Sequence, residues 1–374
     1  MKILYVVNVD WYFCLHWLDR AEAMRDKGYD VHVLTTITSS EHLLDMESRG
    51  FTVHQMRLRR ISINIFYEFY TLMTIFRYYL KLNPDLTHLI TIKPVIYGGI
   101  VSKILNVKAI ASLVGFGLVN SNDDNLRLKR LIKFLLRLSL PSDIVLENSD
   151  DRSHIEKLKP NSKPIVIDGA GVDITKFSYT KRTTGGAIKV LFASRLLWSK
   201  GLGCLVEACQ RLKVEDIHIE LHVAGIQDTD AKNAIPDEII NQWAGDGDII
   251  WHGNVQDMPG LISQVDIVCL PTTYGEGVPR ILIESAACGR PIVAPSVPGC
   301  SDIVQHNVTG LLYCPLEDDG LYLSLLEMVK LRDSYHQFGR EARQLVKHRF
   351  SNEVVIGQWM EFYKERLVDV GAYR

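Results

Sequence analysis

Twelve short apolar runs, continuous rather than alternating, set the tightest limit on what this chain can fold into. In the first half they are Ile3–Val7, Val31–Thr35, Leu86–Ile92, Lys108–Val114, Asp143–Leu146 and Pro164–Ile167. In the second half they are Lys189–Ala193, Ile219–Ala224, Ile249–His252, Asp266–Leu270, Pro291–Ala294 and Gly310–Tyr313. A strand that is apolar on both faces must be covered on both faces, the condition inside a parallel sheet sandwiched by helices. The intervening segments carry helical spacing, so the pattern predicts α/β architecture in two series. The polar stretch 178–186 (SYTKRTTGG) separates the series. It divides the chain into residues 1–178, residues 187–350 and a last helical segment, 351–374, free to pack on either half. Ligands of such sheets collect beyond the carboxyl ends of the strands. The space between two such halves is therefore the expected site.

Composition narrows the class. The chain has 374 residues, 47% apolar and 23% charged, which is ordinary for a globular protein and excludes a disordered chain or a rod. The net charge of −2 argues against nucleic acid as a partner. That total hides a split. Residues 1–180 hold 23 Lys/Arg against 19 Asp/Glu, a net of +4, whereas the remainder is −6. The amino-terminal run is too short for a secretory signal. No charge-free stretch has the length of a spanning helix; Lys103 and Lys108 interrupt the best one, 100–119. Seven scattered cysteines without a C-x-x-C pair suit a reducing cytoplasm and give no zinc pattern. The sequon at Asn307 carries no weight without a secretory signal.

Two stretches carry chemistry. The first, Tyr274-Gly-Glu-Gly-Val-Pro-Arg-Ile-Leu-Ile-Glu284, follows a strand and opens a helix. Pro279 suits the first helical position. Gly275 and Gly277 admit a ligand close to the backbone. The N–H groups near Gly277, Val278 and Arg280, with the helix dipole, predict an anion site. Glu276 and Glu284 bracket it, and carboxylates are strong acceptors for sugar hydroxyls. The second stretch, Ser194-Arg195-Leu-Leu-Trp-Ser-Lys200-Gly201, also ends a strand. Arg195 offers a fork for phosphate and Lys200 a point charge. Both stretches ask for the same ligand, a diphosphate.

Glu276-Gly-Val-Pro-x4-Glu284, Arg195 with Lys200, and Gly171-Val-Asp-x3-Phe177 resemble the family 4 retaining glycosyltransferases of the GT-B fold. Pro298-Gly-Cys-x-Asp-Ile-Val304 and Thr309-Gly-Leu-Leu312 match the segments that follow in that family. The resemblance runs over essentially the whole chain and is strongest over 169–315. It implies two Rossmann-like domains facing across a cleft. It implies that Arg195 and Lys200 hold the donor diphosphate and that Glu276 binds donor sugar hydroxyls. Gly277, Val278 and Pro279 would line sugar and phosphate, with Arg280 beside them, and Glu284 would hold the ribose. His252, Asn254 and Val255 match the place where such enzymes contact the base, and Gly225 is another lining residue. It further implies a UDP-sugar as substrate, no cofactor and no metal. Asp228-Thr-Asp230 fits a DxD pattern in letters only and reads as a solvated loop.

The amino-terminal half departs from the family, whose first strand often ends in a Gly-Gly loop. Here the loop reads Asn8-Val-Asp-Trp-Tyr-Phe-Cys-Leu-His16. This is similar to the bacterial enzymes that build lipid-linked surface oligosaccharides. By position, Asp10, Trp11, His16, Lys93 and Phe116 are the acceptor-side candidates. Arg57, Arg59 and Arg60 precede an aromatic run, 65–79. Arg127, Lys129, Arg130, Lys133 and Arg137 share a helical stretch with Leu126, Leu131, Ile132, Leu135 and Leu136. Basic amphipathic segments of this kind suit an anionic membrane surface. The expectation is a cytoplasmic, membrane-peripheral enzyme that moves a hexose or N-acetylhexosamine from UDP to a polyprenyl-diphosphate-linked saccharide. A UDP-sugar epimerase on the same fold and a non-catalytic sugar-nucleotide-binding protein are the alternatives. A dehydrogenase is disfavoured, since no G-x-G-x-x-G follows the first strand.

Overall fold

The computed structural model describes residues 1–59, 64–113, 126–181, 186–227 and 233–372. It holds two compact units, one of 1–170 with 355–374 and one of 171–354. The break falls at Gly171, ahead of the polar stretch 178–186, so residues 171–178 belong with the second unit.

The first unit is built on strands β1 (Lys2–Val7), β2 (Asp30–Thr35), β3 (Thr52–Gln55), β4 (Leu86–Ile90), β5 (Ala109–Leu113), β6 (Asp143–Leu146) and β7 (Ile165–Val166). All pair in parallel, in the order β3-β2-β1-β4-β5-β6-β7. The period of two explains why β1 is apolar from Ile3 to Val7. Ile3, Tyr5 and Val7 point into one layer with Trp17, Met24, Val355, Trp359 and Tyr363. Leu4 and Val6 point into the other with Ile75, Tyr79, Val95 and Leu136. These five side chains are fully buried. The helix Asn352–Ala372 thus completes the first unit's core. A buried polar thread ties it down: Tyr363 donates to Tyr5 Oη at 3.1 Å and pairs with His88 Nδ1, while His88 Nε2 meets Ser112 Oγ at 2.7 Å.

The second unit repeats the plan with β8 (Ile188–Ala193), β9 (Ile219–Ala224), β10 (Ile250–Trp251), β11 (Ile267–Cys269), β12 (Ile292–Pro295) and β13 (Gly310–Tyr313). Its order is β10-β9-β8-β11-β12-β13, again all parallel. In both sheets the winding direction reverses between the first and fourth strands, the switch point at which doubly wound sheets open a ligand crevice. In the second unit that point lies between β8 and β11, whose loops are the two stretches singled out above.

β3 has no counterpart among the apolar runs. It is an edge strand of half-exposed and polar residues, Thr52-Val-His-Gln55, so burial left no continuous signature on it.

Candidate active site

The carboxyl ends of the second sheet are laced together backbone to backbone. Gly225 follows β9 with φ +148°, and a Cβ there would lie 1.8 Å from Ser194 O. Its N–H bonds Gly253 O at 2.9 Å. Gly201 has φ +81°, and a Cβ would meet Pro271 O at 2.0 Å. Thr273 N–H bonds Ser199 O at 2.9 Å. Only glycine serves at these two positions, because each combines positive φ with a backbone contact no side chain allows. The β8, β9, β10 and β11 loops therefore form one rigid rim.

Lys200 stands in this rim on a short 3-10 turn, Trp198–Lys200, with 5% of its surface exposed. Its ammonium forms an ion pair with Glu276 and lies 4.9 Å from the Tyr274 ring centre. Burial works against the charge on Lys200, but Glu276 and Tyr274 more than offset it and raise the lysine above its ordinary range. Lys200 is thus a cation at any physiological pH. Arg195, half-buried, stands two residues past the end of β8. The sequence therefore brings Lys200 and Glu276, 76 positions apart, into contact. Tyr274 is a third member that sequence reasoning passed over, although it stands at the head of the same motif.

The Glu276 loop is braced from behind by Pro298-Gly299. Glu276 N–H bonds Pro298 O at 3.2 Å, and Gly299, at φ +85°, sits so close that a Cβ would lie 2.2 Å from Gly277 O. The helix Arg280–Ala287 follows. Pro279 takes its N-cap, with ψ 123°, and not the first helical position expected from sequence. Its carbonyl accepts from Leu282 N–H and Ile283 N–H, so the ring's missing N–H costs the helix nothing. Val278 is 5% exposed and its side chain joins the hydrophobic core, which leaves its backbone as the part that can face a ligand. Arg280 Nε bonds Glu284 Oε1 at 2.7 Å. Burial raises the Glu284 carboxyl above the usual range, with Arg280 pulling the other way.

His252, Asn254 and Val255 follow β10 at the far end of the rim. His252 and Asn254 are exposed, and Val255 packs partly on the core. Among the described residues no group of three or more His, Cys, Asp or Glu side chains is placed to hold a metal ion. The Asp228-Thr-Asp230 segment lies outside the described residues.

In the first unit the structure redraws the acceptor-side list. Asp10 is fully buried. Its carboxylate accepts from Thr38 N–H (2.7 Å), Thr38 Oγ (2.6 Å), Ser39 N–H (3.1 Å) and Trp11 N–H (2.7 Å), with His42 Nδ1 at 3.5 Å. That makes it a staple between the first helix and the 36–39 loop, not a ligand group. Desolvation raises its pKa, but these bonds outweigh it and hold the carboxyl below its ordinary value. Lys93 Nζ bonds Glu68 Oε1 at 2.6 Å and Arg59 O at 2.7 Å, and Tyr97 donates to the same Glu68. It therefore ties helix Ile92–Leu105 to helix Ile65–Leu82. His16 packs its ring 4.4 Å from Tyr12, and Trp11 stands edge-on to Tyr12 at 5.8 Å; both remain half-exposed on the helix Asp10–His16. Phe116 lies outside the described residues.

Two doubly wound units, with a buried cation–carboxylate pair and a helix amino terminus at the switch point of the second, define the GT-B class of α/β proteins. Residues 2–148 match the family model for glycosyl transferase 4-like domains, and residues 187–330 the one for glycosyl transferases group 1. The chain belongs to this glycosyltransferase family. It is 26% identical over 214 residues to the amylovoran biosynthesis glycosyltransferase AmsK of Erwinia amylovora, covering 55% of this chain and 52% of that one. It is 29% identical over 188 residues to a D-inositol 3-phosphate glycosyltransferase of an Arthrobacter species, covering 46% and 41%. The chain matches only about half the length of the first curated relatives. The fold is similar to that of Anabaena Alr3699/HepE in complex with UDP and glucose, at a TM-score of 0.77 and 18% identity over 98% of this chain and 100% of that one. It is also similar to a sucrose-phosphate synthase from Thermosynechococcus elongatus, at 0.78 and 16% over 99% and 100%.

Proposed function

We propose that the protein is a retaining glycosyltransferase that moves a hexose or N-acetylhexosamine from a UDP-sugar to a polyprenyl-diphosphate-linked saccharide. The observation that carries this reading is the Lys200–Glu276 pair at the β8/β11 switch point, beside the amino terminus of the helix Arg280–Ala287. Breaking the sugar–phosphate bond builds positive charge on the sugar and negative charge on the diphosphate. Lys200, Arg195 and the helix terminus are set to meet that negative charge, and their orientation is fixed before reaction. They supply the positive charge that a divalent ion supplies elsewhere, so the reaction proceeds without a metal. Glu276 then divides its carboxylate between Lys200 and the sugar hydroxyls, and Glu284 takes the ribose once Arg280 yields. The acceptor hydroxyl attacks from the leaving-group face, and a phosphate oxygen takes its proton.

The relative named for amylovoran biosynthesis and the fold neighbour holding UDP support the acceptor class and the donor respectively. The first unit's surface supports a membrane location, peripheral to the inner face of the plasma membrane. The helix Leu126–Ser139 packs Ile132, Leu135 and Leu136 inward, leaving Leu131, Phe134 and Leu138 exposed among Arg127, Arg130 and Arg137. The start of the helix Ile65–Leu82 exposes Ile65, Phe66, Phe69 and Tyr70.

The test is UDP release from a UDP-hexose with and without a lipid-diphosphate saccharide. We expect release that depends on the acceptor and falls at least ~100-fold in Lys200→Ala and Glu276→Ala. Sugar conversion without acceptor would overturn the transferase reading in favour of an epimerase. Undiminished activity in both variants would overturn the site.

A further inference from the structure

The ammonium of Lys200 is held from two sides, and the two holds differ in kind. Glu276 reaches it with a carboxylate on a flexible side chain. Tyr274 meets it with the face of its ring, whose centre lies 4.9 Å from Nζ. Cys300, on the short helix Cys300–Ile303, also faces the pair. That thiol is fully buried, and burial pushes its pKa well above the usual thiol range, so it stays neutral. The ring is firmly anchored. Thr273 N–H and Thr273 Oγ1 both donate to Ser199 O, at 2.9 and 3.1 Å, which fixes the residue before Tyr274 against the residue before Lys200. Thr272 Oγ1 donates to Tyr274 O at 3.4 Å. On the other side, a Cβ on Gly275 would lie 3.3 Å from the Pro298 ring. The backbone around Tyr274 is therefore pinned to the Lys200 turn. The Glu276 carboxylate, with 18% of its side chain exposed, has room to turn toward a ligand.

We propose that Tyr274 is a positioning residue, whose ring face keeps the Lys200 ammonium aimed at the donor diphosphate when Glu276 turns from the lysine to the sugar hydroxyls. The inference rests on the reading of Lys200 and Glu276 as donor-binding groups. The physical need is specific. Once Glu276 is shared with a sugar, the buried ammonium loses part of its counter-charge just as it must hold a diphosphate. A second carboxylate would hold the lysine equally well, but it would repel the diphosphate. An aromatic face attracts a cation through its quadrupole while carrying no net charge. Tyr274 therefore steadies Lys200 without opposing the ligand. The ring also bears on protonation. Burial works against the charge on Lys200, and Glu276 and Tyr274 outweigh it. Without the ring burial is less opposed, and the lysine gives up its proton at a lower pH. Tyr274 acts only through Lys200 in this scheme.

The experiment is calorimetric titration of the full chain with UDP between pH 7 and pH 10, in wild type, Tyr274→Phe, Tyr274→Leu, Glu276→Gln and the double variant of Glu276→Gln with Tyr274→Leu. Tyr274→Leu should weaken UDP binding roughly tenfold at pH 7.5, the worth of a desolvated cation–ring contact, and bring the alkaline loss of affinity to lower pH. A residue that only filled space would leave that alkaline limb where it is. Uracil's own ionisation falls in the same range for every variant and cancels in the ratios. Tyr274→Phe keeps the ring face and drops the hydroxyl, so it should recover most of the affinity and of the alkaline limb. In the Glu276→Gln background, where the ring is left to hold the lysine, Tyr274→Leu should cost more than it does in wild type. Tyr274→Met takes the place of Tyr274→Leu if urea unfolding shows that the leucine variant does not fold. Wild-type affinity in the ringless variant, an unmoved alkaline limb, or equal losses in the two backgrounds overturns the proposal while leaving the donor site standing. Tyr274→Phe as weak as the ringless variant assigns the effect to the hydroxyl and overturns it too. Failure of the wild type to bind UDP overturns the donor reading itself.

Discussion

Asp10 and Lys200 are both buried charges, and their surroundings give them opposite roles. Asp10 is met by donors that are largely backbone N–H groups, fixed by the fold, so its charge is spent on structure. Lys200 is met by one side-chain carboxylate on a loop, which a ligand can share. Asp10→Ala should therefore cost about 3 kcal/mol in urea unfolding, since several buried donors lose their acceptor at once. The pH dependence has a definite sign. The folded carboxyl is held below its unfolded value, so the Asp10 contribution is complete above about pH 4 and disappears as the pH falls through the depressed folded value. His88 works in the same direction at higher pH. Burial, and then Arg20, hold it far below the ordinary histidine value. The unfolded chain therefore takes up a proton below about pH 6.5 that the folded chain refuses. Stability measured by denaturant titration should decline from pH 7 toward pH 5, and His88→Gln should flatten that decline.

At the scale of elements, glycines show where the rim is under geometric constraint. Gly201→Ala should lower activity at least as much as it lowers stability, because the new Cβ collides with Pro271 O and moves Lys200. Gly357, inside the helix Asn352–Ala372, has no atom within 4 Å of a built Cβ. Gly357→Ala should raise stability by about 0.5–1 kcal/mol in the same assay. The central strands were readable in the sequence, since burial on both faces writes apolar residues at every position. β3 was not, because its residues Thr52-Val-His-Gln55 are half-exposed and mostly polar. Lys200, Glu276 and Glu284 were readable because loop glycines, a proline and charges stand at fixed local spacing. The roles of Asp10 and Lys93 were not readable. Their partners, Thr38 and Glu68, are distant in sequence, and no local spacing announces them. The Gly299 brace lay in plain view in Pro298-Gly-Cys, but only the fold reveals that it presses on Gly277.

For the whole molecule, the charge split gains a location. The first unit concentrates the arginines and exposed aromatics of the helices Ile65–Leu82 and Leu126–Ser139. Among the described residues no helix is long and apolar enough to cross a membrane. Sedimentation with vesicles rich in anionic lipid should pull the protein down at low salt. Arg127→Glu with Arg130→Glu should abolish the salt-sensitive part, each charge being worth about 1 kcal/mol at such a surface. Phe66→Ser with Phe69→Ser should weaken the part that salt leaves untouched. Absence of wild-type binding at low salt would refute the docking surface. The path of the chain carries a further consequence, for its birth on the ribosome. The first unit needs Val355, Trp359 and Tyr363 to cover Trp17 and to meet His88. These residues are made only after all of 171–354, roughly 10–40 s later at ordinary elongation rates. During that interval the emerging sheet has one layer open and a polar thread unfinished. The half synthesised first is thus the half completed last, and a chain that stops short damages the unit at its opposite end.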